Sequence, residues 1–371
     1  MHSTASHTET AIVVGVNTPQ QAIPIEESLA ELEQLVLTSG AESKKRFIQN
    51  LEHPQPKTYV GKGKLEEIKQ YVIKHKIDLV IFDDELTPAQ VRNIETEMEN
   101  AKILSRTHLI LDIFATNAKT AQAKTQVELA QSIFMLPRLT GMWTHLSKQK
   151  GGIGMKGPGE KEIETDRRVL RDKIALLKSK LQDIEKIGFT QRKSRDGVFR
   201  CALVGYTNVG KSTVMNLLSR SDVLVENKLF ATLDATVRKV VIPHPDNQGG
   251  MIPLLLSDTV GFIRDLPHQL VEAFRATLDE TVRADLLLHV VDASSFDREQ
   301  QMIEVDKVLT EIGANETPQL VVVNKIDQVP ALMERGPVIR YDRNGKVAAI
   351  YISAKEGIGL DLLRQTLADL A

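Results

Sequence analysis

The sequence predicts an α/β protein in three parts, and three observations carry that reading. Short apolar runs alternate with helix-period segments over residues 11–115, as strands do when crossover helices separate them. Two helix-period segments then flank Arg138–Pro158, a stretch rich in glycine and cations. Strand–helix units resume over 198–371, with Gly205-x4-Gly210-Lys211-Ser212 lying between an apolar run and a helical one. The expected fold is a disordered tail (1–10), a small parallel α/β domain (11–115), an antiparallel helical-hairpin linker (116–190) with a Gly-rich basic loop (137–158), and a phosphate-loop domain (198–371) with a mostly parallel six-stranded sheet.

Composition narrows the class. A chain of 371 residues, 42% apolar and 26% charged, has room for two or three domains with separate cores. The net charge of −2 assigns any nucleic-acid contact to local basic patches. A single cysteine, Cys201, excludes an internal disulfide framework and fits a reducing cytoplasm; its place in an apolar run predicts a buried, inert thiol. The nine histidines lack metal-ligand spacing. No apolar run approaches membrane-spanning length and residues 1–10 have no apolar signal core, so we expect a cytoplasmic monomer without a membrane span, loose membrane association at most.

In the first part, Ala11–Val16 reads as a strand. Ile25, Leu29, Leu32 and Val36 follow at helical spacing. Leu65, Ile68 and Val72 mark a second helix, Leu79–Phe82 a buried strand, and Val91, Ile94 and Met98 a third helix opened by Pro88. Tyr59–Lys64, with its Gly61-Lys62-Gly63, is either a phosphate cradle or a glycine turn with solvated lysines; so short a motif favours the turn.

In the second part, Lys119–Phe134 is expected to be helical, ending at Pro137. Arg138, Lys148, Lys150 and Lys156, with Trp143 and His145, populate the loop. Ile163, Leu170, Ile174, Leu177, Leu181 and Ile184 then form an apolar seam, with Gly188 closing the hairpin and Thr190–Gly197 as linker. A projecting basic tip suits a phosphate backbone; a solvated linker is the alternative.

In the third part, strands are expected at Val198–Val204, Lys239–Pro243, Leu254–Ser257, Leu286–Val291, Leu320–Val323 and Ala349–Ile352. The loop Gly205, Tyr206, Thr207, Asn208, Val209, Gly210, Lys211, Ser212, Thr213 offers backbone N–H groups and a helix N-terminus to phosphates, Lys211 adding a charge and Ser212 a hydroxyl for Mg2+. Asp258-Thr259-Val260-Gly261 follows a strand; Asp258 is a second Mg2+ candidate, and the Gly261 N–H can touch a γ-phosphate. Asn324-Lys325-Ile326-Asp327 places a carboxylate that pairs with the two donors of guanine, which adenine does not match. Ser353-Ala354-Lys355 can close over the base, and Phe230-Ala231-Thr232-Leu233-Asp234 supplies Thr232 as a third Mg2+ candidate. The ordered set makes the third part a P-loop GTPase domain binding GTP or GDP.

With these motifs in place, the chain resembles the HflX family of GTPases, within the Obg-like group. The resemblance rests on Tyr59–Gly63, Leu109–Ala115, Gln126–Gln131, Leu136–Leu139, Trp143–Leu146, Gly151–Gly154, Gly157–Glu160 and Glu164–Arg168 as well as on the third part. It implies a ribosome-associated GTPase that binds the large subunit and its rRNA and separates stalled or idle ribosomes, with the glycine-rich tip reaching toward the peptidyl-transferase region. Met155-Lys156, Lys161–Ile163, Ala235 and Val237 depart from the usual residues of the family. The alternative function is a GTP-dependent RNA- or ribosome-binding scaffold or assembly factor in which hydrolysis is incidental.

Phe262 keeps that alternative in play, because many GTPases place there a glutamine that orients the attacking water. Lys211, Asn208, Thr232 and Gly261 are the catalytic candidates. In related GTPases the spacing of Asn208 lets its carboxamide help hold K+ against the phosphates, which makes K+ a second candidate ion; the alternative is an Asn that suits a turn.

Overall fold

The computed structural model describes residues 8–21, 23–98, 101–139, 158–192, 197–219, 229–230, 236–244, 250–264 and 275–371. The chain forms two compact units, one of residues 1–116 with 128–178, the other of 117–127 with 179–371.

The first unit holds four parallel strands, β1 (Thr10–Asn17), β2 (Glu42–Asn50), β3 (Leu79–Phe82) and β4 (Lys102–Ser105), in the order β2-β1-β3-β4. Helices at Ile25–Thr38, Lys62–His75 and Pro88–Glu97 provide the crossovers that parallel strands require. The apolar side chains of Ile12, Val14, Val16, Phe47, Ile68, Val80, Phe82 and Ile94 meet in one core. Thr87 caps the third helix in a capping box with Gln90, and Pro88 occupies its first turn. The sequence reading passed over β2 and β4. In β2 only Phe47 is buried, because the strand lies at the sheet edge, with Ser43, Ile48 and Gln49 half-buried and the rest exposed.

Of Tyr59–Lys64, Tyr59–Gly61 form a turn secured by the fold and Lys62–Lys64 already belong to the helix. Tyr59 sits at φ +65°, its ring edge-on to Phe82 and its hydroxyl donating to Asp84 Oδ2 at 2.5 Å. The Gly61 N–H, which a phosphate would need, donates to Gln49 Oε1 at 2.8 Å.

A 35-residue helix, Pro158–Arg192, follows the helix Ala121–Met135. It opens on Pro158, whose missing N–H is harmless at a first turn. Gly188 does not end it, correcting the expected hairpin boundary and shortening the linker: one internal glycine costs about 1 kcal/mol against alanine, too little to stop a helix supported on both sides. Leu177 and Leu181 of the expected seam are buried, with Leu170, Ile174 and Ile184 half-buried. Lys173 Nζ stands 2.8 Å from Glu128 Oε1, pairing the two helices. The tip residues 140–157 lie outside the described residues.

The second unit carries a seven-stranded sheet, β10-β11-β9-β8-β5-β7-β6. Its strands are β5 (Phe199–Val204), β6 (Thr236–Pro243), β7 (Met251–Asp258), β8 (Leu286–Asp292), β9 (Gln319–Asn324), β10 (Ile339–Tyr341) and β11 (Val347–Tyr351). Five are mutually parallel, while β6 runs antiparallel to β7 and β10 to β11. The six expected strands are present, and β10 adds a three-residue edge with two exposed residues. Cys201 is buried, and burial, with Asp285 adding to it, pushes its thiol up to about 12, as an inert thiol requires. Among the described residues no helix is long and apolar enough to cross a membrane.

Candidate functional site

The site forms where the central strands of the second unit end, outside the carboxyl edge of an open sheet. β5 runs apolar through Val204, then turns at Gly205 into the loop that opens the helix Lys211–Ser219. Gly205 has φ +144°, and a Cβ there would stand 2.2 Å from the Val290 carbonyl oxygen. Gly210 has φ +98°, and its Cβ would stand 2.3 Å from Asn324 Nδ2. Both positions therefore exclude any side chain. Asn208 between them is exposed at φ +60°, a conformation asparagine tolerates better than most residues.

Lys211 is buried, its Nζ donating to the carbonyl oxygens of Gly205 at 3.0 Å and Tyr206 at 2.7 Å. Burial lowers its ammonium to about 8, with Asp258 opposing the shift. Ser212 Oγ donates to Asp258 Oδ2 at 2.6 Å. Thr259 is turned away from this group, its hydroxyl donating to the Leu203 carbonyl at 2.6 Å.

Gly261 and Phe262 lie against the loop. The Thr207 N–H donates to the Phe262 carbonyl at 2.7 Å and the Phe262 N–H to the Gly205 carbonyl at 3.1 Å. A Cβ on Gly261 would fall 2.9 Å from Thr207 Cγ2 and 3.0 Å from Lys211 Nζ, so only glycine fits between the threonine and the lysine. The Phe262 ring is buried with Ala202, Val204, Leu278 and Leu287. It fills the core and offers the loop only its backbone.

The second half of the site follows β9 and β11. Asn324 Nδ2 donates to the Val209 carbonyl at 2.8 Å, while its Oδ1 accepts the Ala354 N–H at 2.9 Å. One side chain thereby ties the phosphate loop to the segment Ser353–Lys355. Lys325, at φ +62°, pairs with Asp292 Oδ2 at 2.7 Å. Asp327 Oδ1 accepts from Ser353 Oγ at 2.6 Å, which orients the carboxylate. Ile326 and Ala354 are buried, and Lys355 is exposed beside Glu356.

Of the expected residues, the structure gathers Gly205–Thr213 with Asp258–Gly261, and Asn324–Asp327 with Ser353–Ala354. Phe230 is buried at φ +55°. Ala231, Thr232, Leu233 and Asp234 lie outside the described residues. The sequence reading missed Val290, Asp292 and the Tyr206 hydroxyl, which accepts the Arg264 N–H at 2.8 Å. Val290 and Asp292 belong to no motif, and Tyr206 entered the sequence reading only as a member of the loop. Asp292 at the end of an apolar strand was the one visible signal.

Comparison with known proteins covers most of the chain. Residues 26–115 match the N-terminal region of a GTP-binding GTPase family, residues 117–195 its middle region, and residues 200–325 a 50S ribosome-binding GTPase family. The chain is 58% identical over 320 residues to GTPase HflX of Flavobacterium psychrophilum, covering 86% of this chain and 76% of that protein. Against GTPase HflX of Escherichia coli K12 it is 44% identical, with 92% and 79% covered. Among solved structures, a GTP-binding protein of the archaeon Sulfolobus solfataricus in complex with GDP is 26% identical over 98% of both chains, with a TM-score of 0.50. The SsGBP–GDP complex aligns over the same shares at 26% identity and a TM-score of 0.53.

Proposed function

The chain belongs to the HflX family of GTPases, and from that premise we propose that it binds the large ribosomal subunit and splits stalled or idle ribosomes, hydrolysing GTP to GDP and phosphate in the cycle. The nucleotide half of this reading rests above all on Asn324, which joins a phosphate-type loop to a base-type loop as a two-ended guanine-nucleotide site requires.

In that reading the N–H groups of 206–213 and the Lys211 ammonium hold the phosphates, and Lys211 exchanges two loop carbonyls for phosphate oxygens. Asp327 accepts the two guanine N–H groups while Ser353 holds it in plane. Ser212 Oγ and the buried Asp258 carboxylate form an oxygen pair of the hard kind that suits Mg2+, and with Thr232 they would hold it. Bound there, Mg2+ neutralises charge developing on the phosphates. Gly261 presents its N–H to the γ-phosphate. The exposed Asn208 carboxamide would hold K+ in place of an arginine finger, so that turnover depends on the choice of K+ or Na+ at equal ionic strength.

The hairpin tip, 137–158, would contact rRNA phosphate, making affinity fall steeply with salt. Intact ribosomes mixed with the protein and GTP should sediment as separate subunits. Deleting 151–159 should abolish that separation and leave GTP affinity intact; a deletion protein that splits ribosomes normally removes the tip from the mechanism.

One observation favours a second reading, a scaffold in which hydrolysis is incidental. Phe262 points into the core, leaving no side chain at that position to orient water. GTP turnover that the ribosome does not stimulate would favour it.

A further inference from the structure

Most of the polar side chains around the phosphate loop are occupied. Lys211 binds two carbonyls, Ser212 binds Asp258, Thr259 binds Leu203 and Asn324 binds both Val209 and Ala354. Thr207 differs. Its side chain is 6% exposed, and among the described residues its Oγ1 has no hydrogen-bond partner. Buried hydroxyls are almost always partnered, so this one needs a reason.

Its position supplies the reason. The Thr207 N–H is fixed by the Phe262 carbonyl at 2.7 Å. Thr207 Cγ2 and Lys211 Nζ lie 2.9 and 3.0 Å from the point a Cβ on Gly261 would take. The threonine side chain and the lysine ammonium thus both lie beside Gly261, which in the reading above is the end of the triphosphate. A valine would fill the same volume, so packing does not require the hydroxyl.

We propose that the Thr207 hydroxyl donates a hydrogen bond to the terminal phosphoryl group of GTP. The inference rests on the nucleotide reading of the site and adds a contact specific to GTP over GDP. A hydroxyl donating to the phosphoryl oxygens also stabilises charge during transfer to water. It would act where Phe262 has nothing to offer.

The test uses the full-length protein with Thr207→Val and Thr207→Ser. GDP affinity, affinity for a non-hydrolysable GTP analogue and the single-turnover rate with GTP are measured for each. For Thr207→Val, GDP affinity should stay unchanged while analogue affinity and turnover each fall by about tenfold. Thr207→Ser, which keeps the hydroxyl, should restore both. The proposal is overturned if the valine variant matches wild type throughout, if it weakens GDP and the analogue equally, or if serine fails to rescue. Wild-type protein that binds no guanine nucleotide would overturn the underlying reading, and that result is visible before any substitution.

Discussion

The two sheets end their strands in opposite ways. In the four-stranded sheet, Asp83 follows β3 and Arg106 follows β4, and the two meet in a closed network. Arg106 Nη2 is 2.6 Å and Nε 3.1 Å from Asp83 Oδ1, while Nη1 is 2.6 Å from Glu31 Oε1. Arg106 also donates to the Ser28 carbonyl at 3.0 Å, and the Ser28 hydroxyl donates to Asp83. Arginine and aspartate are both buried, and each charge is neutralised within the fold. In the seven-stranded sheet the strand ends carry backbone at positive φ, a lysine held by two loop carbonyls and a threonine whose hydroxyl has no hydrogen-bond partner among the described residues. Most polar side chains are paired at both sheets, and the Thr207 hydroxyl is what sets the second apart.

Four measurements test that contrast, beginning with the largest effect. Exchanging the acceptor proposed to read guanine, Asp327→Asn, should erase a guanine preference on the order of 10⁴ and favour xanthosine nucleotides. A variant that still prefers guanosine nucleotides would remove Asp327 from the base site. Arg106→Met should leave Asp83 as an uncompensated buried charge, costing about 3–5 kcal/mol in denaturant unfolding of the first unit. GDP affinity should be unchanged, and a matching loss of nucleotide binding would show that the network is not purely structural.

The third concerns His108, whose ring burial pulls down to about 4, with Arg138 adding to the shift. The folded state prefers the neutral ring. Below its ordinary 6.5 the unfolded chain takes up a proton that the fold refuses. Stability is therefore complete above that value and drains away as pH falls toward 4, by at most about 3 kcal/mol. Denaturation midpoints at about pH 7 and about pH 5 should differ, and His108→Gln should reduce the difference. The fourth concerns Lys211. Burial lowers its ammonium to about 8 in the free protein, whereas the proposed phosphate contact needs the cation. GDP affinity should fall by up to tenfold per pH unit above that point. A flat profile would mean that the lysine stays charged without nucleotide.

Much of this was legible in the chain. Leu79–Phe82 is buried along its whole length and was located to the residue, since four apolar side chains in a row leave few other arrangements. The phosphate loop was legible because glycine spacing, strand and helix agree there. β2 and β10 escaped because edge strands bury so little that hydrophobic pattern does not mark them. Gly188 was misread because a local helix-breaking tendency is weaker than the helix around it. In the site, the residue type of Phe262 was evident but its inward direction was not. The partners of Asn324 lie 115 and 30 residues away, a separation at which no local pattern operates.

Asn324 also has a kinetic consequence. Its amide grips the phosphate loop with one end and the base loop with the other, so neither half can loosen without straining the other. If the two loops hold phosphates and base as proposed, nucleotide release would be a single opening instead of two independent ones. A partner that seeks to speed exchange need not reach the nucleotide at all. Pulling Ser353–Lys355 away from β9 draws on the same amide and would slacken the hold on the phosphates from the far side of the pocket.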